Sequence, residues 1–586
     1  MIRAVIGVVV LAAALSGQTP EPDVMIAGAG IAGLTTALEA ARGGARVAVV
    51  DIASVFGGHA IVSEGGLSLV GTPLQAALGS KDSPELAYQD FLKWGEDANA
   101  AWVRIYVDRS RRDIYDWMTD LGVRFERLLL FPGNSTARFH TNPRRGYGLV
   151  EPVYRECLKS GRVTFHWNTR ITRLIQKAGR VTGVEGLNER TGAAFRLSGK
   201  AVVIATGGYQ SNLELVKANW RTDLPSPAKI LVGGGVNASG SGLELGRSAG
   251  ALVERLDHQW NYAGGIPDPR YRGMNRGINF VNGVAIWLNQ DGQRFMNEEG
   301  GASVALRSLL QQPGGRGWVV FDSVGRQSML VSGTDWADPK RVDELILGDA
   351  SVVHKAGSLE ELGRKAGWPR EAFLAAIARF NESLKDGTDL DFNRFHPGNP
   401  PTARVGRAAI PPVAVPPFYA APVYPMTRKS MGGLAVDLEC RVLNARREWI
   451  PGLYAAGEVT GFNGLNGKAG LEGTFLGPSI LQGRILGRSL AKLAGEVVQG
   501  SLPPAAAAKA TATVQAPCQS CHAVSELVAT PRKGYWHFER VHKLVLERAW
   551  ICGSCHAEMA PFRASQHRVD PVAQIGACAR CHLGTE

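Results

Sequence analysis

Residues 23–33 read Asp-Val-Met-Ile-Ala-Gly-Ala-Gly-Ile-Ala-Gly and decide the fold of the first part of the chain. The apolar run at 23–27 predicts a short β-strand, and the glycines after it open an alanine-rich helix predicted to end near Arg42. Residues 46–50 predict the next strand. A strand, a glycine-rich turn, a helix and a second strand indicate an α/β fold with a parallel sheet.

The turn has the chemistry of a dinucleotide site. G-x-G-x-x-G spacing lets a pyrophosphate approach the backbone, while the N-terminus of the helix stabilises its charge. An acidic residue follows 23 positions after the first glycine, at the end of the second strand, where it is placed to bind a ribose. A purely structural turn is the alternative, and the motif alone does not separate NAD from FAD. The cofactor-binding residues predicted here are Gly28, Ala29, Gly30, Ala32, Gly33 and Asp51.

The character of the sequence changes several times along the chain. Further strands are predicted at 163–167, 201–205 and 452–456, with strand-like sequence at 424–436, and a helical segment is predicted at 370–384. Between them lies mixed, loop-rich sequence. We therefore predict a two-part nucleotide-binding domain at 18–255 and 405–497, an inserted lobe at 256–404, an Ala/Pro/Thr-rich linker at 498–516 and a small domain at 517–586.

The first 17 residues have the pattern of a signal peptide. Arg3 supplies the positive charge, residues 4–15 are apolar, and residues 14–16 offer small side chains for cleavage. The apolar run is shorter than the ~20 residues that a membrane span needs. An uncleaved anchor or a misassigned start is the alternative. We expect an exported protein, periplasmic or otherwise, without a stable membrane span.

The charge of the chain does not predict a nucleic-acid partner. Its 65 Lys and Arg outnumber its 53 Asp and Glu, which gives a formal net charge of +12, but they form no dense run. The eight cysteines are distributed unevenly. Cys157 and Cys440 stand alone and are expected to be buried structural residues, whereas the other six all lie between residues 518 and 581.

Those six cysteines form three copies of C-x-x-C-H, the pattern that attaches a c-type haem. Two thiols of each copy bond the haem vinyl groups, and the adjoining histidine ligates the iron. Zinc is the competing interpretation, but zinc gives no reason for a histidine directly after every second cysteine. The predicted attachment residues are Cys518, Cys521, Cys552, Cys555, Cys578 and Cys581, and the predicted iron ligands are His522, His556 and His582.

Three more histidines, His537, His542 and His567, match the three remaining axial positions. His537 and His542 are five residues apart, so on a helix they would project about 140° apart and serve different haems. The alternative is that one of them is a surface histidine, with Met559 or an open site in its place. Ligation by two histidines lowers the reduction potential relative to His/Met ligation.

Five further motifs occur in order between the fingerprint and the tail: Gly-Gly-His-Ala at 57–60, Ser-Glu-Gly-Gly at 63–66, Ala-Thr-Gly-Gly at 205–208, Gly-Gln-Arg-Phe-Met-Asn-Glu at 292–298 and Tyr-Ala-Ala-Gly-Glu at 454–458. Together they resemble the fumarate reductase/succinate dehydrogenase flavoprotein superfamily, which includes 3-ketosteroid dehydrogenases and soluble flavocytochromes c. The resemblance covers residues 23–493. It implies a Rossmann-like FAD-binding domain with an inserted, mobile α+β capping domain, followed here by a small, mostly helical or irregular multihaem domain.

The resemblance also implies the positions that bind FAD. Glu458 would contact the ribityl chain, and the turn at 477–480 would direct backbone N–H groups at the isoalloxazine, where a helix N-terminus stabilises reduced flavin. His59 stands where membrane-bound relatives attach FAD covalently; a histidine that only packs against the flavin is the alternative. The implied residues are Gly58, His59, Gly65, Gly66, Thr206, Gly207, Gly457, Glu458, Gly477, Ser479 and Ile480.

The substrate residues of the superfamily do not carry over. Ala302 stands where fumarate reductases have a proton-donating Arg and ketosteroid dehydrogenases a Tyr, Lys429 stands in place of a substrate-binding His, and a later substrate Arg falls near Gly470. A dicarboxylate would lose its bidentate partners, so fumarate is not expected as the substrate. The loop at 473–478 is closer to the ketosteroid branch. Candidates for the proton donor or acceptor are Lys429, Lys468 and Arg276, each of which has a surface residue as its alternative interpretation.

These features predict an exported FAD-dependent oxidoreductase that acts on C=C or CH–CH groups of a small organic substrate. Three c-type haems would exchange electrons one at a time between the FAD and an external redox partner, either quinol-linked or a soluble cytochrome. Reduction of an activated C=C bond is the first hypothesis. A dehydrogenase that delivers electrons outward is the second. A non-catalytic electron-transfer flavocytochrome is the third, motivated by Ala302.

Overall fold

A computed structural model describes residues 21–333, 336–395 and 410–494. The predicted signal peptide, the linker and the haem domain, with all of its Cys and His residues, lie outside the described residues. Cys157 and Cys440 are both buried free thiols, as expected. Each described helix is too short or too polar to cross a bilayer.

The strands are numbered in chain order within the described residues. They are β1 Val24–Ala27, β2 Val47–Val50, β3 Leu67–Ser68, β4 Arg127–Leu129, β5 Phe139–Thr141, β6 Val163–His166, β7 Thr169–Lys177, β8 Arg180–Asn188, β9 Ala194–Ser198, β10 Ala201–Ile204, β11 Leu231–Val232, β12 Val253–Glu254, β13 Gln259–Pro267, β14 Gly277–Asn282, β15 Ile286–Leu288, β16 Gly317–Phe321, β17 Met329–Val331, β18 His354–Ala356, β19 Phe418–Ser430, β20 Gly433–Leu434, β21 Arg441–Leu443 and β22 Trp449–Ala455.

The α-helices are numbered in the same way. They are α1 Ile31–Arg42, α2 Gly58–Ile61, α3 Pro73–Ala77, α4 Pro84–Gly95, α5 Ala100–Ser110, α6 Trp117–Asp120, α7 Arg145–Lys159, α8 Leu213–Ala218, α9 Ser241–Ser248, α10 Gly301–Leu310, α11 Pro339–Val342, α12 Leu359–Ala366, α13 Arg370–Asp386 and α14 Leu476–Leu490. Short π-helical segments follow α5 and α11 at Arg111–Asp116 and Asp343–Leu347.

The first sheet has the strand order β21-β22-β10-β1-β2-β6. Every pairing in it is parallel except that of the edge strand β21 with β22. β1, β2 and β10 are apolar throughout and fully buried, as strands covered on both faces must be. The chain runs from β1 to β2 on one side, and β10 pairs with β1 on the other. This reversal places a ligand crevice at the carboxyl end of β1.

Helix α14 lies directly against α1 because glycines face it. A Cβ at Gly483 would stand 2.8 Å from the Ala32 carbonyl oxygen, and a Cβ at Gly487 would stand 2.6 Å from the Thr36 carbonyl oxygen. The four-residue spacing puts both glycines on one face of α14. This close approach brings the N-terminus of α14 to the same sheet edge as the turn after β1.

The second sheet has the order β15-β16-β19-β13-β14-β17, and β11 and β18 also pair with β19. It carries its own apolar clusters, centred on residues such as Val319, Phe321 and Phe373. The long strand β19 is central to this sheet, although the sequence placed residues 405–497 in the nucleotide-binding domain. That prediction is wrong for β19, since an alternating apolar strand does not reveal which sheet it joins. We call the unit built on this sheet the cap.

The remaining predicted elements agree with the structure to within one to three residues. The strands predicted at 23–27, 46–50, 163–167, 201–205 and 452–456 are β1, β2, β6, β10 and β22, and the predicted helices are α1 and α13. The strand-like stretch at 424–436 instead divides into the end of β19 and the short β20. Smaller antiparallel sheets, β7-β8-β9, β3-β5-β4 and β12-β20, complete the described fold.

Candidate active site

A cavity of about 570 Å³ lies between the carboxyl edge of the first sheet and the cap. This volume is in the range of cavities that bind cofactors and substrates. Thirteen of the residues singled out in the sequence line it: Gly28, Gly30, Ala32, Asp51, Gly58, His59, Thr206, Gly207, Arg276, Lys429, Gly457, Glu458 and Ser479. The structure therefore brings together, at one edge of the sheet, segments that are separated by several hundred residues in sequence.

The glycines of the turn after β1 have different roles. Gly28 has a φ of +113°, and a Cβ on it would stand 2.3 Å from the Ala205 carbonyl oxygen. A Cβ on Gly33 would stand 2.0 Å from the Gly28 carbonyl oxygen, so α1 can follow β1 this closely only with glycine there. At Gly30, in contrast, a Cβ would meet no protein atom within 4 Å. Gly30 keeps open a space that a ligand can approach.

Asp51 closes the other side of this turn. Its carboxylate oxygens accept the Ala29 N–H at 2.6 Å and the Ala53 N–H at 2.7 Å. Burial raises the pKa of Asp51, and these two backbone N–H groups oppose that shift. Each carboxylate oxygen retains acceptor capacity for a hydroxyl group. Ala29 thus acts through its N–H on Asp51 and does not line the cavity.

Thr206 and Gly207 follow β10 next to the turn. The Thr206 hydroxyl is buried and has no hydrogen-bond partner among the described residues, and a Cβ on Gly207 would meet nothing within 4 Å. A buried hydroxyl usually has a partner, so this one indicates that a polar ligand belongs beside it. With the open space at Gly30 and the spare acceptors of Asp51, these residues fit a bound dinucleotide.

The N-terminus of α14 also reaches the cavity, where Leu476 and Ser479 line it. The first N–H groups of a helix have no partner within the helix and are free to donate to a ligand. Gly477 and Ile480, predicted to bind the cofactor, do not line the cavity. A Cβ on Gly477 would stand 2.3 Å from the Tyr106 hydroxyl oxygen, and the Ile480 side chain is buried in the apolar core.

Three other predicted cofactor residues have packing roles instead. Gly33 separates α1 from the turn, as described above. A Cβ on Gly65 would stand 2.3 Å from the Arg145 carbonyl carbon, and a Cβ on Gly66 would stand 1.8 Å from the Phe139 ring. None of the three lines the cavity, so their effect on a ligand is exerted through the backbone that they position.

Glu458 joins the two halves of the cavity. It follows β22 of the first sheet, and one of its carboxylate oxygens accepts the N–H of Ser430, at the end of cap strand β19, at 2.9 Å. The Ser430 hydroxyl stands 3.3 Å from the same oxygen. Glu458 therefore offers the cavity an acceptor whose position is fixed.

A cluster of basic residues forms the cap side of the cavity. The Lys429 Nζ donates to Nδ1 of His59 at 3.0 Å, and a guanidinium nitrogen of Arg428 stands 3.5 Å from Nε2 of the same ring. Arg428 also donates to the Gly233 carbonyl and Arg276 to the Gly234 carbonyl, at 2.9 and 3.0 Å. Within the described part of the chain, neither guanidinium is paired with a carboxylate.

A β-bulge brings Arg428 and Lys429 to the same site. Trp260 on β13 pairs with Lys429 on β19, but Asn261 pairs with Thr427, so Arg428 is an extra residue in β19. Neighbouring residues of a regular strand point to opposite faces, and a bulge changes where a side chain points. Both residues therefore contact His59.

These charges set the protonation of the site. Burial and the nearby charges of Lys429, Arg428 and Arg276 hold the pKa of His59 well below its ordinary value, so the imidazole is neutral. Burial lowers the pKa of Lys429 to about 8, while the negative charge of Glu458 opposes that shift. A lysine whose pKa lies near 8 is suited to exchange a proton with a substrate at neutral pH.

Lys468, also predicted as a proton donor, does not belong to the site. Its side chain is exposed and does not line the cavity, and its backbone N–H donates to Asp97 at 2.9 Å. The flexible four-carbon stem of lysine normally carries its ammonium into water, and here no burial prevents it. Of the three candidates, Lys429 and Arg276 are in the cavity.

Two positions at which the resemblance places arginines in other members of the superfamily hold uncharged residues here, Ala302 and Gly470. Ala302, in α10 of the cap, packs against the apolar core around the cavity. A Cβ on Gly470 would stand 3.1 Å from both the Phe475 and the Trp260 rings, which leaves little room for a larger side chain. Neither position supplies a charged group, in agreement with the sequence.

Sequence reasoning missed three side chains near the basic cluster. The Tyr262 hydroxyl on β13 donates to both carboxylate oxygens of Glu472, at 3.0 and 3.1 Å, and the Arg428 guanidinium lies 5.7 Å from the Tyr262 ring centre. Tyr262 and Glu472 are 210 residues apart. No local motif marks them, because their proximity depends on the pairing of β13 with β19 and on the loop before α14.

Comparison with known proteins gives two family matches. A model described as FAD binding domain matches residues 23–476, and one described as cytochrome c7 and related cytochrome c matches residues 505–583. A fumarate reductase (cytochrome) of Shewanella frigidimarina is 31% identical over 490 residues, which cover 82% of this chain and 79% of that protein. A KsdD-like steroid dehydrogenase of Mycobacterium tuberculosis is 31% identical over 562 residues, covering 82% and 98%.

Two solved structures have a fold similar to that of this chain. The open conformation of a flavocytochrome c3 fumarate reductase matches with a TM-score of 0.66 and 26% identity, over 82% of this chain and 80% of that one. A 3-ketosteroid-delta4-(5alpha)-dehydrogenase from Rhodococcus jostii has the same fold, with a TM-score of 0.59 and 24% identity over 82% and 99%.

Proposed function

The chain belongs to the FAD binding domain family of flavoproteins and carries a cytochrome c7-type domain, and from this premise we propose that it is an exported enzyme that reduces an activated C=C bond of an organic acceptor. Its electrons pass through three c-type haems to the FAD. FAD supplies the hydride chemistry when it is bound. The turn after β1, Asp51, Thr206, Glu458 and the N-terminus of α14 hold it. The cap then covers the carbon–carbon bond that reacts.

The observation that carries this proposal is the position of Lys429, which is buried, lines the cavity and donates to His59 at 3.0 Å. Burial lowers its pKa to about 8. Reduction of C=C needs one proton as well as a hydride, and Lys429 is the proton donor in the cavity. Its ammonium N–H bond breaks as a C–H bond forms on the substrate, which leaves a neutral amine. The neutral imidazole of His59, 3.0 Å away, fixes the Lys429 side chain without competing as an acid.

The substrate we propose is an enone or a similarly activated acceptor, not fumarate. Ala302 and Gly470 carry no charge. The resemblance implies that fumarate reductases of the superfamily have arginines at these two positions, which bind a dicarboxylate. Arg276 and Arg428 supply N–H donors for one electron-withdrawing oxygen, which a C=C bond needs before it accepts hydride. A steroid-like or smaller enone satisfies this arrangement with one oxygen at the basic cluster.

The haem part of the proposal is supported by the sequence and by the cytochrome family match. Three C-x-x-C-H motifs lie within residues 518–582, and His537, His542 and His567 are available as second axial ligands. The haems in series reduce the FAD one electron at a time without NAD(P)H. This fits a protein that is exported by its N-terminal segment. An external redox partner, quinol-linked or a soluble cytochrome, supplies the electrons.

Spectroscopy of the protein expressed with export and haem maturation is the first test. We expect sharp α-bands in the reduced-minus-oxidised spectrum, about three haems per chain, and flavin. One haem per chain, or zinc in place of haem, would refute the proposed electron path. A protein that is found only in the cytoplasm with an intact N-terminus would refute export.

Acid precipitation of the same protein determines how FAD is attached. His59 is neutral and so has the protonation state in which imidazole forms a bond to carbon. Flavin in the pellet, lost in the variant His59→Ala, supports a histidyl-flavin. Flavin released to the supernatant supports the alternative, in which His59 only packs beside the cofactor.

Turnover separates the three functional hypotheses. With reduced methyl viologen as donor, we expect oxidation of the dye when 2-cyclohexen-1-one is added and none above background with fumarate. Reduction of an oxidised acceptor dye by a saturated ketone, without the reverse reaction, would favour the dehydrogenase. Inertness in both directions across a panel of enones would favour the electron-transfer role.

A further inference from the structure

The cap also touches the sheet side of the cavity outside the basic cluster. Gly333 follows β17 of the cap, and its N–H donates to a carboxylate oxygen of Glu64, in the segment after α2, at 2.7 Å. A guanidinium nitrogen of Arg145, the first residue of α7, donates to the Gly333 carbonyl at 2.5 Å and to the same Glu64 oxygen at 3.1 Å. One ion pair of the sheet side therefore binds both backbone groups of a single cap residue.

The chain connections of the cap lie elsewhere. β13 enters the cap and β19 leaves it at the paired residues Gln259 and Ser430, next to the β12–β20 pair. Gly433 of β20 bridges Thr460, in the loop after β22. Helix α7, which carries Arg145, instead leads into β6. Because β22 and β6 are on opposite sides of β1 in the first sheet, the connections and the Gly333 contact flank the cavity from two sides.

The Gly333 contact is part of the cavity wall. Gly333 and Val62 both line the cavity. Gly333 has a φ of +122°, and a Cβ on it would stand 3.2 Å from the Val62 carbonyl oxygen, so glycine permits the cap backbone to approach the opposite wall this closely. A ligand that passes between the cap and the sheet side here must first separate these two residues.

Arg145 reaches Gly333 from a strained backbone. Its φ of +52° lies in the left-handed region, which is unfavourable for a residue with a Cβ. Asn142 holds this conformation, since its carbonyl accepts the Arg145 N–H at 3.1 Å and its side-chain amide donates to the Arg145 carbonyl at 2.9 Å. Backbone strain persists where the surrounding contacts fix it, and it occurs often at ligand clamps and switch regions.

We propose that Glu64 and Arg145 form a latch that holds the cap closed over the cavity, and that ligands enter and leave when this latch releases Gly333. Release exchanges three hydrogen bonds within the protein for hydrogen bonds to water. The side chains of Glu64 and Arg145 are 29% and 21% exposed, so water reaches both. Such an exchange has a small net free energy, which suits a contact that opens in every cycle. The inference does not depend on which bond of the substrate is reduced.

The test uses variants of the complete FAD- and haem-loaded protein. Glu64→Ala removes the carboxylate. Arg145→Asn removes the guanidinium and keeps a residue type that tolerates a positive φ. Arg155→Ala is the matched control, because Arg155 is an exposed arginine of the same helix that donates to Glu151 of that helix.

Amide hydrogen exchange, resolved to single residues by mass spectrometry, reports on the latch without turnover. The Gly333 N–H is bound by Glu64 across the cavity, whereas the neighbouring Ser332 N–H donates to the Asn279 carbonyl within the cap at 2.9 Å. We expect exchange at Gly333 to rise about 10- to 100-fold in Glu64→Ala, because a hydrogen bond to a carboxylate is lost. Exchange at Ser332, and at Ser430 beside the chain connections, should stay within about twofold of wild type.

Two results of this experiment would overturn the proposal. One is an unchanged exchange rate at Gly333 in both Glu64→Ala and Arg145→Asn. The other is an equal rise at Gly333, Ser332 and Ser430, which would show that the ion pair only stabilises the fold of the cap. The control variant should reproduce the wild-type rates at all three residues.

Ligand exchange is the second measurement. Cyclohexanone, the product of 2-cyclohexen-1-one reduction, is mixed with the reduced protein, and stopped-flow absorbance of the flavin follows its binding. A latch limits access, so the rate constants for binding and release should both rise about 3- to 30-fold in Glu64→Ala and Arg145→Asn, with Kd within about threefold. An altered Kd with an unchanged release rate would make these residues ligand contacts and overturn the latch. Wild-type protein that binds no cyclohexanone would refute the proposed substrate class, and the amide exchange would still decide the latch.

Discussion

The two walls of the cavity are built in different ways. The wall on the first sheet consists largely of backbone: the turn after β1, the loop after β10 and the first turn of α14 present N–H groups and open glycine positions. The wall on the cap consists of side chains: Arg428 and Lys429 reach inward from β19, and Arg276 from the position directly before β14. Each part of the first wall is a short continuous segment whose local sequence sets its backbone geometry. The second wall depends on strand pairing between residues that are far apart in sequence.

This difference indicates which wall can be altered by single substitutions and which cannot. A backbone site depends on glycine and on the geometry of βα turns, so it can bind the pyrophosphate of a dinucleotide wherever the same turn recurs. A side-chain site can be altered residue by residue while the sheet beneath it is kept. Lys429, Ala302 and Gly470 differ from the residues that the resemblance implies for substrate binding at these three positions.

The largest expected effect is on the cap wall. Lys429→Met should lower kcat for enone reduction by about 100- to 10,000-fold, because a positioned general acid contributes that much to a proton transfer. FAD and haem contents should be unchanged. Stopped-flow reoxidation of the reduced protein by 2-cyclohexen-1-one measures the effect directly.

Lys468→Met is the matched control for that variant. Its side chain is exposed and outside the cavity, so kcat should stay within about twofold of wild type. Equal losses in the two lysine variants would contradict the assignment of the proton donor to the cap wall.

On the sheet wall, two glycines separate folding from binding. Gly33→Ala should lower the free energy of unfolding by about 1–3 kcal/mol, since its Cβ would stand 2.0 Å from a backbone oxygen that cannot move freely. Gly30→Ala should leave the stability of the FAD-free protein within about 0.5 kcal/mol and reduce FAD affinity. Denaturant titration and FAD titration after flavin removal measure the two quantities. Equal destabilisation by both substitutions would show that the turn has no open ligand face.

The pH dependence of kcat is expected to differ between the reduction and its reverse. Lys429 must be protonated to reduce C=C, so kcat is expected to be flat below about pH 7 and to fall up to tenfold per unit above its pKa of about 8. The reverse reaction needs the neutral amine, and its rate should rise through the same pH. Measuring both profiles with dye donors and acceptors tests one group in two directions; a midpoint far from 8 in both would exclude Lys429.

The smallest expected effect concerns the bulge. Arg428→Leu removes one of the positive charges that lower the pKa of His59, so this pKa should rise while FAD binding is retained. Nuclear magnetic resonance of histidine-labelled protein follows the titration. An unchanged His59 pKa would indicate that burial and the charges of Lys429 and Arg276 keep this ring neutral without Arg428.

Local pattern predicted the sheet wall well. The turn at 28–33 with Asp51 specified β1, α1 and β2 and the place of the dinucleotide, because close backbone approach demands glycine at fixed spacing. The resemblance also implied Gly65, Gly66, Gly477 and Ile480 as cofactor residues, and these four do not line the cavity. Gly65 and Gly66 are confined by Arg145 and Phe139, and the other two by Tyr106 and the apolar core. A glycine needed for packing is indistinguishable in sequence from a glycine needed for a ligand.

The cap wall shows what could not be predicted from the sequence alone. Lys429 and Lys468 were equal candidates in the sequence, and only burial separates them. Arg428 was not predicted, because a regular strand would direct it away from Lys429, and the bulge that overrides this rule arises from pairing with β13. Tyr262 and Glu472 meet across 210 residues.

By itself, the sequence determined the FAD-binding turn, the family and the cytochrome tail, since each depends on residue types at short, fixed spacings. The tertiary structure decided that β19 belongs to the cap, that Arg428 and Lys429 both contact His59, and that Tyr262 holds Glu472. Spacing along the chain sets local backbone geometry. Burial, register and the charges that surround a side chain depend on which distant segments pack against it, and these set the pKa of Lys429.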